Sequence, residues 1–386
     1  SLQNKEENNT IPKILPFITF NTGKFKSKHF DYDNTLEFYN IFRDNNTAIH
    51  SKSQRKIAGT LSINKDVIKY GTLFTARTNL YNQFYDVEDK KVDAEYYSNQ
   101  YFRSFPIFGI DLETPFRFKP NFQKLIYTPK ASLIISPGIS NTNKISNEDS
   151  SVNSYTIQNN GDLNRYTGTD KLDNSKRINL SFQIHNEEFK TAIWQSYEFT
   201  NNSNFHYSQG NEKKLSDLLG YVELDKESYS TRYNFRYDPH NNFVKSHNLD
   251  TIFYSKFGDL NLKYLDQRSK VNETIVSDKE TINYSFSSAK IYKYSKISYS
   301  GLYDVNLEIN KENSFAYSYF DECFGVNLNF GRNSYTKNEL KPQDMLTIMF
   351  SFKNVGSYRS TNLAVSETDK QDIKWESYGV KNELFD

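Results

Sequence analysis

The side chains able to ligate a metal, attack a carbonyl or pass a proton are few, and none is spaced to do so. One cysteine, Cys323, and six histidines stand among 386 residues, and no histidine has a cysteine or acidic partner at a zinc-binding interval. Gly23-Lys24 runs into Phe25 without the upstream glycine of a phosphate-cradling loop, so it reads as a turn. No Gly-x-Ser-x-Gly elbow occurs. Asp and Glu are abundant but sit singly between polar neighbours, as on a solvated loop or lumen rather than in an acid–base pair. The sequon Asn45-Asn46-Thr47 matters only in a glycosylating compartment. A lone cysteine closes no internal disulfide. It is either an inert buried thiol or the partner of a segment outside this chain. These residues predict no catalysis, no metal and no cofactor.

The elements that carry the polar residues are far more informative. Phe324, Val326, Leu328 and Phe330 alternate with Gly325, Asn327 and Asn329. Leu346, Ile348, Phe350 and Phe352 alternate with Thr347, Met349 and Ser351. Successive strand side chains point to opposite faces, so each stretch has one greasy and one polar side. Ile178, Leu180, Phe182 and Ile184 repeat the pattern against Asn179, Ser181, Gln183 and His185; Tyr233, Phe235 and Tyr237 repeat it against Arg232, Asn234 and Arg236. Ile282, Tyr284 and Phe286 face away from Asn283 and Ser285, and Val305, Leu307 and Ile309 from Asn306 and Glu308. About 17 such segments of roughly 10 residues are expected, the length of a tilted strand crossing a bilayer. Arg232, Asn234, Arg236, Asn283, Asn306, Asn327 and Asn329 then line a wet interior.

Only 36% of residues are hydrophobic, yet 16% are aromatic, with 29 Tyr and 30 Phe. Disordered chains are poor in aromatics, so the low hydrophobicity does not mean disorder. Charge is balanced at 48 basic against 47 acidic residues, which removes any steering toward nucleic acid. No apolar run is long enough for a transmembrane helix, but strands need only alternate residues to be apolar. Tight turns are expected at Asp238-Pro239-His240-Asn241-Asn242 and Phe257-Gly258-Asp259. A long polar connection from Gly138 to about Lys176 contrasts with them, the asymmetry of outer-membrane barrels. Tyr229, Tyr254, Tyr299 and Tyr335 suit aromatic girdles at strand ends; packing in a soluble β-sandwich is the competing reading. The polar opening at Ser1, with no signal peptide, suggests a mature form or a fragment.

Several segments resemble one family. Asn164-Arg165-Tyr166-Thr167-Gly168-Thr169-Asp170-Lys171-Leu172 is similar to a motif of LptD, the lipopolysaccharide-assembly family. Leu125-Ile126-Tyr127-Thr128-Pro129-Lys130-Ala131 resembles a strand of that family with proline at its start. Cys323-Phe324-Gly325-Val326, with Arg332 and Tyr335, is similar to its cysteine–aromatic strand, and Met345 to Val355 closing at Gly356 to its last strand.

The resemblance implies an all-β chain, a large antiparallel transmembrane β-barrel, over residues 1–386. It corresponds to the C-terminal portion of a barrel of roughly 26 strands, without the N-terminal periplasmic jellyroll and first barrel strands. It implies residence in the bacterial outer membrane and transport of lipopolysaccharide into the outer leaflet through a polar lumen and a lateral opening. Implied partners are lipopolysaccharide, outer-membrane lipids, an LptE-like lipoprotein plug and an LptA-like periplasmic bridge. The motif residues are Asn164, Arg165, Tyr166, Gly168, Asp170 and Lys171. Leu346, Ile348, Phe350 and Phe352 fall on the strand at the lateral seam, and Cys323 becomes a disulfide candidate toward the missing segment. A porin, a receptor-type transporter and a secreted β-rich binding protein are the alternatives.

Overall fold

The computed structural model describes residues 11–44, 49–117, 124–139, 141–151, 156, 159–200, 213–271, 274–291, 294–334, 343–353, 356–360, 363–364 and 375–378. Their regular structure is β-strand throughout, with antiparallel registers. The chain divides into two compact units, Ser1–Asn186 with Ala192–Gly220, and Glu187–Thr191 with Tyr221–Asp386.

The first unit contains β1 (Lys13–Asn21), β2 (Phe25–Lys26), β3 (Asp31–Phe42), β4 (Ser53–Lys69), β5 (Thr72–Val92), β6 (Glu95–Glu113), β7 (Phe116–Arg117), β8 (Ile126–Ile135) and β9 (Lys176–His185). β10 (Phe189–Glu198) and β11 (Leu218–Lys226) run across the unit boundaries. β4 and β5 are joined by Tyr70-Gly71, both at positive φ (52° and 78°), the backbone of a two-residue hairpin turn whose twist matches its strands. Register carries Tyr39 across to Lys56, Tyr85 and Tyr101, and Glu37 across to Ala58, Gln83 and Arg103. Lys56, Tyr85, Gln83 and Ala58 are buried. On the opposite face Ile57, Phe84 and Phe102 stand in one row and are exposed, Phe102 by 72%. Buried polar side chains outnumber buried hydrophobic ones among the described residues. A soluble domain would invert this arrangement.

The second unit contains β12 (Tyr229–Asp238), β13 (Phe243–Ser255), β14 (Gly258–Val271), β15 (Thr274–Ser288), β16 (Ser295–Asp304), β17 (Ile309–Phe320), β18 (Phe324–Asn333), β19 (Gln343–Phe352), β20 (Gly356–Ser360), β21 (Leu363–Ala364) and β22 (Trp375–Tyr378). A single row of partners runs Arg232, Asp250, Lys263, Asn283, Leu302, Glu312, Asn333. Asn234, Arg236, Asn327 and Asn329 share that face, because strand residues two apart do. Leu249, Phe253, Leu260, Leu262, Ile282, Phe286, Phe315, Leu328 and Phe330 lie on the other, and every one is exposed. Gly301 sits in that apolar face beneath the Tyr284 ring: a Cβ there would meet the phenol oxygen at 2.3 Å. The missing side chain lets Tyr284 reach Asn313 Oδ1, to which it donates at 2.9 Å.

Among the described residues five of the 22 strands are short, β2, β7, β20, β21 and β22, which leaves seventeen long ones beside the expected number. Several expectations need correction. β4, β5 and β6 span 17, 21 and 19 residues, well beyond the length a bilayer requires. Residues 305–308 form a turn instead of alternating strand: Asp304 Oδ1 accepts from Leu307 N at 3.0 Å and Glu308 takes a left-handed φ of 53°. This local side-chain bond outcompetes the ladder, so Asn306 lies outside the polar strand face. Tyr299 is mid-strand in β16 rather than at an end, and Tyr335 falls outside the described residues. β19 is not the final strand: Gly356, read as an exit, pairs with Phe352 and opens β20, while β21 pairs with Met345 and Leu346. Pro129 lies four residues into β8, opposite the Thr114-Pro115 break between β6 and β7, where its missing N–H disturbs little.

Candidate functional site

The long connection between β8 and β9 folds back onto the buried polar face of β3–β6. Ile145 packs with Tyr85 and Val87, and Leu163 and Leu172 with Tyr81, Phe105, Ile107 and Ile134. These apolar contacts seat the segment, and charged groups fix it.

Lys56 on β4 is the pivot. Its ammonium has no solvent exposure and lies 2.8 Å from Glu37, 2.7 Å from Asp149 and 2.9 Å from Asp170; it also donates to Thr169 Oγ1 at 2.7 Å. Asp170 accepts from the hydroxyls of Tyr39 (3.2 Å) and Tyr85 (2.9 Å) and from the backbone N–H of Glu148 (2.8 Å). Asp149 Oδ1 accepts from the backbone N–H groups of Thr169 (3.1 Å) and Asp170 (2.8 Å). Arg103 on β6 donates to the carbonyls of Thr169 and Asp170, both at 2.9 Å. Gln54 clasps Ser146 from both ends of its amide, at 2.8 and 3.0 Å. Each buried charge is thus met by several opposite or polar partners, without which its burial would be prohibitive. Burial pushes the Asp149 carboxyl up, but Lys56 and donated hydrogen bonds outweigh it and hold it down at about 2. Glu148 is raised by burial despite its Arg43 partner.

A second cluster closes the segment where it enters β9. Arg165 grips Asp173 with two bonds (2.6 and 3.1 Å) and reaches Glu198 at 3.3 Å. Arg177 meets the same Asp173 at 2.9 Å, and both of these side chains are fully buried. A forked guanidinium suits such shared carboxylates.

The structure brings the motif residues together in this segment. Asn164 bridges its own turn, donating to the Gly168 carbonyl and accepting from Asp173 N, each at 3.0 Å. Gly168 is required by crowding, since a Cβ would lie 2.4 Å from the Asp149 carbonyl oxygen. Tyr166 is buried, its hydroxyl pKa raised by burial. Lys171 contributes its backbone N–H, donated to Ser150 Oγ at 2.9 Å. The sequence reading missed Lys56, Arg103, Asp149, Asp173, Arg177 and Glu198. Lys56 and its partner Thr169 are 113 positions apart, and an isolated lysine on a strand's polar face looks like any solvated one.

Arg232 on β12 pairs with Glu223 (3.4 Å), donates to Asn234 (3.2 Å) and lies over the Tyr221 ring. Asn327 donates to Ser318 (3.2 Å), and Asn329 accepts from Ser314 (2.7 Å). Phe324 faces Phe350 and Phe352 across β18 and β19, with ring centroids 6.2 and 5.3 Å apart, on the exposed apolar face that also carries Leu346 and Ile348. Cys323 is exposed in the turn before β18, so it is not the inert buried thiol of the first reading. Among the described residues no group of His, Cys, Asp and Glu could hold a metal ion.

A family model described as LptD, LPS transport system D, matches residues 1–291. A search of curated proteins finds no match. The chain is similar to solved siderophore receptors of Acinetobacter baumannii. PirA is 9% identical with a TM-score of 0.45, the match covering 92% of this chain and 68% of the receptor. The ferric preacinetobactin receptor BauA is 10% identical with a TM-score of 0.39, covering 92% of this chain and 70% of the receptor.

Proposed function

This chain belongs to the LptD family, LPS transport system D, and from that premise we propose that it carries the sugar head of lipopolysaccharide along a polar lumen and releases the lipid sideways into the outer leaflet. As a family member it is a β-barrel protein of the bacterial outer membrane whose work is lipopolysaccharide transport. The observation that supports the lumen route is the separation of faces: Arg232, Asp250, Lys263, Asn283 and Glu312 in one row, Leu260, Ile282 and Phe315 on the reverse. Drawing hydroxyls and phosphates through hydrocarbon would cost several kcal/mol per group, and a polar face removes that cost.

In this reading Arg232, Asn234, Arg236, Asn327 and Asn329 border the water-filled path and meet a lipoprotein plug of the LptE kind. An LptA-like bridge delivers the substrate through a jellyroll domain elsewhere in the protein. The lateral seam draws on β19, with Leu346, Ile348, Phe350 and Phe352, together with the strands beyond it. In the same reading Cys323, which is exposed, bonds a segment elsewhere in the protein.

The test is to narrow one face at a time. Asn329→Trp, toward the lumen, lowers the rate at which tagged lipopolysaccharide reaches the cell surface, whereas Leu328→Trp, toward lipid, leaves it near wild type. Equal effects of the two would refute the lumen route.

A further inference from the structure

A cavity of about 470 Å³ lies between the floor of β3, β4 and β5 and the folded-back segment 162–169, beside the Lys56 cluster. Its floor offers Thr60, Ser62, Asn64 and Asn79, and Tyr81 and Tyr166 border it. Two acidic residues, Asp33 and Asp162, also line it. Among the described residues lining it the one cation, Arg77, is already gripped by Asp111 at 2.7 and 2.9 Å. The lining is therefore rich in hydroxyl and amide groups, flanked by aromatic rings, and carries no spare positive charge for an anion.

That chemistry is selective. Hydroxyl and amide groups that both donate and accept match sugar hydroxyls, and the weakly positive C–H faces of a pyranose suit the negative faces of tyrosine rings. A phosphate needs cations or converging N–H groups and would be repelled by Asp33 and Asp162. The volume lies within the range of small-molecule sites. We infer that this cavity is a subsite for an uncharged sugar residue of the glycan, and that it rejects phosphorylated ones. The inference rests on the lipopolysaccharide reading and sharpens it. The roof is built from the motif itself, Asn164 to Thr169, and is tied down through Thr169 and Asp170, so occupancy of the cavity and closure of the segment are coupled.

The test titrates the full chain in detergent with a deacylated, phosphate-free core oligosaccharide, its phosphorylated counterpart, inorganic phosphate and intact lipopolysaccharide. The neutral oligosaccharide is expected to bind saturably. Thr60→Trp, which fills the floor, should weaken it at least tenfold, while intact lipopolysaccharide still binds. Asn64→Ala adds no bulk and serves if Thr60→Trp loses its fold; it should weaken the neutral sugar several-fold. Inorganic phosphate should not compete. Tighter binding of the phosphorylated form, competition by phosphate, or indifference to both substitutions overturns the subsite. If wild-type chain fails to bind intact lipopolysaccharide, the transport reading itself falls, and the two failures are thereby distinguished.

Discussion

Lys56 holds three carboxylates from two distant parts of the sequence around an ammonium that water does not reach. Removing one partner of a buried ion set leaves the rest uncompensated, a loss of about 3–5 kcal/mol. Lys56→Met should therefore free the β8–β9 segment, seen as rapid proteolytic nicking within residues 141–175 while the strands stay resistant; unchanged resistance would contradict the clamp. Gly168→Ala should lower the melting temperature too, because its methyl would lie 2.4 Å from a backbone oxygen that has little room to retreat. Acid gives an independent check. The Asp149 carboxyl is held at about 2, below its usual 3.8. A depressed carboxyl contributes stability fully above its unfolded value and loses it as pH falls through the folded one. The segment should thus hold at pH 5 and loosen between about pH 4 and 2, read by amide exchange in residues 141–175.

At the scale of elements, the alternation of small sets of residues was enough to place most strands and their faces. Arg232, Asn234 and Arg236 were legible as one face because a period of two leaves no freedom once a strand forms. Asn306 was not, because five residues of apparent alternation are too few to outweigh an aspartate able to cap its own turn. The continuation beyond Phe352 was hidden for a related reason: a glycine serves equally as an exit and as the first residue of a returning strand. Asp170 and Arg165 stood in the motif, but Lys56, Arg103 and Asp149, the partners of Asp170, were illegible, since only tertiary pairing distinguishes Lys56 from an ordinary lumen lysine. The turn at 305–308 offers its own test. Glu308 sits at φ 53°, which costs an L-residue about 1–2 kcal/mol that glycine does not incur. Glu308→Gly should raise the melting temperature, and Glu308→Ala should not.

For the molecule as a whole, the central claim is that one face of every long strand meets hydrocarbon and the other meets water. Many large hydrophobic residues, Phe102, Phe253, Phe315 and Phe330 among them, are exposed, while Lys56, Gln54, Gln83, Arg177 and Asp238 are fully buried, a distribution that only lipid on the outside makes favourable. The most direct measurement places single spin labels along β18 in a Cys323→Ser background, in lipid vesicles, and compares collision with oxygen and with a water-soluble nickel chelate. Labels at Val326, Leu328 and Phe330 should favour oxygen, and labels at Asn327, Asn329 and Gly331 should favour nickel, with a period of two. Equal accessibility at all six positions, or nickel preference at the apolar ones, would contradict it.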